Sequence, residues 1–304
     1  MSLRLPQRDV RRSMSDQDRY DRVSQAAAGQ VISAYSTSFG LACRLLGPDV
    51  HRHVRNVYAL VRLADEVVDG PSAAESPARA GASLDRLEQE VTDALRDGHS
   101  TNLVVHAFAL TARACGIDVH LVTPFFASMR ADLTVHRHDA ASLERYVYGS
   151  AEVVGLMCLK VFLANATAGP LPSGDPAGYD DLSLGARRLG AAFQKVNFLR
   201  DLTADHRRLG RCYLPGVDPT RLTEADKHRL LDDVEADLAA AAPAMRLLPA
   251  SSRRAVAVAH ALFAELAHRL RTAPAEQVMA ERVRVPDRVK ARVVLTTLAR
   301  ESRR

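Results

Sequence analysis

Two short acidic signatures carry the chemistry legible in this chain: Leu63-Ala64-Asp65-Glu66-Val67-Val68-Asp69 and Asn197-Phe198-Leu199-Arg200-Asp201-Leu202-Thr203-Ala204-Asp205. Each places carboxylates four residues apart in otherwise apolar sequence. Residues i and i+4 share a helix face about 6 Å apart along the axis, so each pair aims two carboxylates at one point. Acids rarely go inward without a partner. If the two helices face one another, four or five carboxylates converge on one cavity, and that much charge calls for hard cations. Mg²⁺ carrying a diphosphate is the natural occupant.

Spacing alone is weak, because a chain this rich in Asp contains about two such pairs by chance. Asp93 and Asp97, and Asp233 and Asp237, have the same spacing but lie in amphipathic stretches with a broad charged face. We read those two pairs as solvated. Val57 to Val68 and Leu189 to Leu202, around the first two pairs, are apolar on more than one face, as in helices buried in a bundle. Arg62 precedes Asp65 by three positions, Arg200 is next to Asp201, and Gln194 and Asn197 precede Asp201 by seven and four. An amide and acid ladder suits Mg²⁺, which keeps several waters. Arginines hold phosphate oxygens in bidentate fashion. The residues alone leave one alternative open, internal salt bridges on two core helices.

With these blocks in view the chain resembles the squalene and phytoene synthases, from about Tyr35 to Lys290. Ser36-Thr37-Ser38-Phe39 is similar to the family's opening motif, and Tyr58 to Asp69 to its first acidic motif. Tyr146 to Gly155 resembles its tyrosine and glycine segment. Gln194 to Asp205 with Gly210-Arg211-Cys212-Tyr213-Leu214-Pro215 resembles the second acidic motif and its flap, and Arg282-Val283-Arg284-Val285-Pro286 with Lys290 the C-terminal signature. Three positions depart from the common pattern. Glu66 stands where many members have Asp, and Phe263 and His138 stand where tyrosine is frequent. These changes bear on substrate detail, not on reaction class.

The resemblance implies an all-α, single-domain isoprenoid-synthase-like bundle around a central cavity. It implies Mg²⁺, or Mn²⁺, held by Asp65, Glu66, Asp69, Asn197, Asp201 and Asp205. Arg62, Arg200, Arg211, Arg282 and Lys290 would grip phosphate oxygens, and Tyr58 and Tyr146 would orient the diphosphate or relay a proton. Ser38, Phe39, Cys43, Gln194 and Tyr213 would touch the substrate. The expected reaction is head-to-head condensation of two geranylgeranyl diphosphates to phytoene through a cyclopropyl diphosphate, without NADPH. The C30 version, squalene or dehydrosqualene from farnesyl diphosphate, is the runner-up, and a non-catalytic lipid-binding or assembly protein a third reading. Cys43, one turn beyond Phe39, would leave room at the tunnel wall for a longer chain, or is simply a small core residue.

Composition agrees with one helical enzyme. At 304 residues and 47% apolar content the chain can bury a large core, and apolar spacing such as Leu84, Leu87, Val91 and Leu95 is helical. Pro and Gly cluster at Gly70-Pro71-Ser72, Gly169 to Pro176 and Leu214 to Thr220, and Thr223-Glu224-Ala225-Asp226 opens a helix with a box-like cap. No secretory leader is evident, and Val153 to Leu163, broken by Lys160, is shorter than the roughly 20 residues of a span, so a cytoplasmic protein is expected. Cys43, Cys115, Cys158 and Cys212 lack paired spacing and read as reduced thiols.

The net charge of +5 comes from basic ends, a tail over 1–18 with Arg4, Arg8, Arg11 and Arg12 and another over 298–304, flanking a catalytic domain over 19–297. Such tails are solvated or meet an anionic membrane surface, transiently and at its inner face. No aromatic-interleaved basic stripe suggests nucleic acid. His136 and His138 near Asp132 and Asp139 make a poor metal site, and Asp132 reads instead as polar lining of the mouth. Gly149, Ser150, Ala151 and Gly155 serve either close helix packing or an open prenyl tunnel.

Overall fold

The computed structural model describes residues 14–35, 38–166 and 176–303, and among these it contains helices, one π turn and no strand. The helices are α1 Asp16–Tyr35, α2 Ser38–Cys43, α3 Pro48–Asp69, α4 Pro71–Glu75, α5 Pro77–Asp97, α6 Leu103–Cys115 and α7 Val119–Asp132. They continue as α8 Ala140–Val147, the π turn Tyr148–Glu152, α9 Val153–Ala164, α10 Pro176–Leu209, α11 Glu224–Met245, α12 Ala250–Thr272, α13 Ala275–Ala280 and α14 Asp287–Glu301. The expected all-α class holds.

Local chemistry sets most of the boundaries. Asn102, Asp118, Asp139 and Thr223 are N-caps whose side chains accept the first free backbone N–H groups, and Asp139 and Ser142 form a reciprocal box. Gly98 and Gly116 end α5 and α6 in the left-handed conformation that a Cβ would strain. The break at Gly70 and the loop after Leu214 fall where Pro and Gly cluster, while 167–175 lies outside the described residues. Both domain limits fall inside helices: α1 starts at Asp16, and α14 runs to Glu301. Leu298 still packs on the bundle there, and Arg253 pairs with Glu301 at 3.5 Å.

Two large apolar clusters form the body. One joins α3, α5, α6, α7 and α9 around Leu60, Leu84, Phe108, Phe125 and Met157. The other joins α8, α10, α11, α12 and the 212–222 segment around Leu199, Leu231, Tyr213 and Leu270. The π turn, α9 and α10 stitch them together at backbone contact. A Cβ on Gly155 would lie 2.5 Å from the Ala186 carbonyl, one on Gly190 2.6 Å from that of Ala151, and one on Gly149 would overlap the Pro124 carbonyl. Close packing therefore explains these glycines, and Ser150, Ala151 and Gly155 also wall the cavity described below.

Two expectations are corrected. The π turn fuses α8 and α9 into one run, Ala140–Ala164, long and apolar enough by length and composition to cross a membrane. In the fold its Val153, Met157, Leu159 and Val161 are buried in protein, and Val154, Cys158 and Phe162 face the cavity. Asp237 is not solvated: it is 2% exposed, and Arg188 (3.0 Å) and Lys195 (2.7 Å) on α10 both reach it. The charged face of α11 packs on α10, which an amphipathic pattern alone cannot distinguish from a face in water. Asp93 and Asp97, by contrast, pair at the surface with Arg96, and Asp93 also accepts from Gln89. Asp237→Asn should therefore lower unfolding free energy by about 3 kcal/mol, as expected for a buried ion-pair partner. Asp97→Asn should leave the urea midpoint unchanged.

Candidate active site

The acids of the two signatures line a cleft between the clusters. Asp65, Glu66 and Asp69 project from the last turns of α3, and Asp201 and Asp205 from α10. Burial, then the neighbouring Asp69 charge, pushes the Asp65 carboxyl up to about 7. Burial, then Asp201 and Asp69, does the same to Asp205, up to about 7. The Arg211 backbone N–H donates to the Asp205 carbonyl at 3.4 Å while its guanidinium donates to Asp69 at 2.6 Å, so the two signatures meet. Salt bridges internal to each helix would not produce this.

Cations hold the rest of the cluster. Arg200 (Nε to Oδ1, 3.0 Å) and Arg282 (Nε to Oδ1, 2.8 Å) both grip Asp201. Burial opposes ionisation there, but the Arg200 hydrogen bonds and the two guanidinium charges outweigh it and hold Asp201 below the ordinary carboxylate range. Arg62 bonds to Glu66 and stands 4.0 Å from Asp65, with the Tyr35 ring over its guanidinium at 4.3 Å. Its Nε is buried without an acceptor, as the Asn197 Oδ1 is buried without a donor. Lys290 bonds at 3.0 Å to Asp287 of its own helix and to none of the five acids, so the expected phosphate role is not preorganised there.

Behind Asp69 lies a buried relay. Arg211, 5% exposed, donates to Asp69 (2.6 Å), to the Val68 carbonyl (2.9 Å) and to the Tyr213 hydroxyl (3.2 Å). Asp132 accepts from the Tyr146 and Tyr213 hydroxyls, 2.7 Å each, and stands 3.5 Å from Arg211. Burial pushes the Asp132 carboxyl up to about 6 against the pull of Arg211. Asp132 is thus not mouth lining but the keystone of the wall, 6% exposed. Nothing in its neighbouring sequence signals this, because both hydroxyls arrive from distant segments. The His138 ring stacks on Tyr213 at 5.7 Å and packs tilted on Tyr146 at 5.1 Å, so the departure at 138 buttresses the same pair.

An apolar cavity of about 250 Å³ opens beside the acids at Val61 and Gln194 and runs toward Leu182, Met245 and Leu248. Cys43 and Cys158 line it, and burial pushes both thiols up to about 12. Phe193 also lines it and stacks at 3.7 Å on Phe263, which fills the tyrosine-like position without a hydroxyl. Tyr58 is half-buried on α3, one turn before Arg62. The Ser38 and Phe39 side chains lie outside the described residues.

Comparison with known proteins agrees with this geometry. Residues 32–289 match the squalene/phytoene synthase family. Chloroplastic phytoene synthase of Daucus carota is 34% identical over 197 residues, 64% of this chain and 45% of that protein. Phytoene synthase 2 of Zea mays is 33% identical over 215 residues, 70% and 49% respectively. The chain thus spans about half the length of the curated relatives it matches. Among solved structures, a dehydrosqualene synthase in complex with ligand superposes with TM-score 0.78 at 22% identity, over 95% of this chain and all (100%) of that one. Squalene synthase HpnC from Alicyclobacillus acidocaldarius gives 0.68 at 18%, over 83% and 94%. The chain belongs to the squalene/phytoene synthase family.

The raised carboxyls have a measurable consequence. Between the ordinary value of 3.8 and about 7, Asp65 and Asp205 bind more protons folded than unfolded, so their contribution to stability falls as pH rises through that window. In metal-free buffer, the stability difference between wild type and Asp205→Asn should shift against wild type from about pH 5 to about pH 8. Urea unfolding of the two proteins at both pH values checks it.

Proposed function

We propose that this chain joins two molecules of geranylgeranyl diphosphate head to head to give phytoene, with Mg²⁺ or Mn²⁺ and without NADPH. The observation that carries this reading is a cluster of mutually repelling carboxylates at the head of a long apolar cavity. A polar, anionic group belongs at one end of such a site and a hydrocarbon chain at the other.

The donor set fits the cation. Five acids stand in the cleft, two of them pushed up to about 7 by burial and then by the neighbouring carboxylates, and the Asn197 Oδ1 has no partner. Among the described residues no three acids, imidazoles or thiols are gathered closely enough to hold an ion by themselves, so an ion here would have to keep water and take phosphate oxygens. Asp65, Asp69, Asp201 and Asp205, with Glu66 and Asn197 in support, would hold it, and when bound it neutralises the diphosphate and makes it a leaving group.

The chain's own groups do the rest. The unpartnered Arg62 Nε offers a donor to a phosphate oxygen, and Arg200 and Arg282 can turn from Asp201 to the departing diphosphate. Lys290 would join them only by leaving Asp287. The apolar walls exclude water, which would quench an allylic cation. Attack of the second substrate's double bond on the allylic cation, with loss of one proton, gives a cyclopropyl diphosphate, which releases its own diphosphate, rearranges and loses a second proton. Asp132, flanked by the Tyr146 and Tyr213 hydroxyls, is a built acceptor chain for such a proton.

Purified protein incubated with Mg²⁺ and each prenyl diphosphate, with hydrocarbons identified by mass, tests the reading. We expect a C40 product from geranylgeranyl diphosphate without NADPH; a product formed only with NADPH from farnesyl diphosphate would move the assignment to squalene. Asp69→Asn and Asp205→Asn should lower turnover by more than about a thousandfold. Chelation should stop turnover, and Mg²⁺ or Mn²⁺ should restore it. Asp97→Asn should match wild type.

Chain length rests on Cys43 in the cavity wall. A larger side chain there blocks the path beyond it, and steric fit then discriminates between substrates. Cys43→Phe should lower the ratio of C40 to C30 product when both diphosphates compete. An unchanged ratio in a folded, active variant would remove Cys43 from the determinants of length.

A further inference from the structure

The outer face of α14 takes no part in the site. Arg288, Arg292, Leu295 and Ala299 follow at spacings of four, three and four, so they form one stripe along the helix, bordered by Arg300 and, just past its end, Arg303. All six are exposed. Leu295, in the middle of the arginines, is the most exposed large apolar side chain among the described residues, at 68%. The two acids of the helix stand at its two ends, Asp287 paired with Lys290 and Glu301 with Arg253. No ion pair among the described residues engages Arg288, Arg292, Arg300 or Arg303. The face is therefore uniformly cationic around an apolar centre.

The inner face is equally specific. Val293, Val294 and Leu298 pack on Ala42, Val258, Ala259 and Leu262, and Ala42 and Ala259 are themselves walls of the apolar cavity. One layer of side chains thus separates α14 from the space assigned to the prenyl chain. A helix with cations around a lone exposed leucine suits the headgroup boundary of an anionic bilayer, where arginines meet lipid phosphates and the apolar residue enters the acyl edge.

We propose that α14 is a peripheral membrane-docking helix that recognises anionic phospholipid and seats the cavity wall of α2 and α12 against the bilayer. The contact stands on the surface of α14 and does not depend on which hydrocarbon the enzyme makes. It is also distinct in sequence from the basic N-terminal residues Arg4, Arg8, Arg11 and Arg12.

Flotation of the purified full-length chain with phosphatidylcholine vesicles, and with vesicles that also contain phosphatidylglycerol, reads the contact directly. Wild type should partition at least tenfold more strongly onto the anionic vesicles. Arg288→Gln with Arg292→Gln should weaken that partition about thirtyfold, from about 1 kcal/mol per arginine near the surface. Leu295→Glu should weaken it at least tenfold. Both variants should keep wild-type thermal unfolding and wild-type turnover of detergent-dispersed substrate, while a variant with Arg4, Arg8, Arg11 and Arg12 all changed to Gln should still bind. Equal partition of wild type onto both vesicle types overturns the proposal. So does undiminished binding of the α14 variants, or binding lost only in the N-terminal variant. Turnover failing in every protein while flotation behaves as expected would fault the assigned reaction and leave the docking helix standing.

Discussion

Carboxylates from two helices that face one another across a half-buried cleft repel, and each has lost part of its hydration. That unfavourable arrangement governs the architecture around it. Asp65 and Asp205 are pushed up to about 7, so the protein alone holds part of the cluster near the neutral form. Asp201 escapes only because two guanidinium groups grip it, and Asp69 is held by Arg211. Carboxylates perturbed in this way cluster at functional sites.

Containing the repulsion requires a stiff frame, and the frame is made by backbone contact more than by side-chain volume. Gly155 and Gly190 let α9 and the π turn approach α10 to carbonyl contact, and Gly149 does the same for the π turn against Pro124 of α7. On the far side of α10, Lys195 and Arg188 close on the buried Asp237 and tie it to α11. From the other side Asp132 joins Tyr146 of α8 to Tyr213, whose hydroxyl also accepts from Arg211, the residue that holds Asp69. Charge, packing and position are thus one problem solved by the same few helices.

The apolar cavity lies within the same frame. Small side chains at Ala151, Gly155, Cys43 and Ala186 leave space that larger ones would fill, walled by Cys43, Leu46 and Val54 of the first core and by the smaller cluster of Leu159, Leu182, Ala244 and Leu248. Polar head and apolar channel therefore share walls, and α14 covers one of those walls from outside. The membrane-facing character inferred for α14 is continuous with the chemistry inside.

Much of this was legible in the sequence because it is local. Carboxylates at i and i+4 in apolar context, N-caps ahead of helices, and Gly and Pro at breaks act over one or two turns, so their consequences are readable from spacing. For Cys43 the resemblance implied a tunnel wall and its size a core residue, and in the fold it is both 2% exposed within the first core and part of the cavity lining. What tertiary structure alone decided was which charged faces meet. Asp97 and Asp237 sit in equally amphipathic patterns, yet one is solvated and the other is 2% exposed, because only the second is covered by a neighbouring helix. Asp132 became a keystone only when two tyrosines from distant segments converged on it, and Lys290, though in a matching motif, folded back on Asp287. Burial and pairing are properties of surfaces brought together, and a pattern along one helix specifies that a charged face exists without specifying what lies against it.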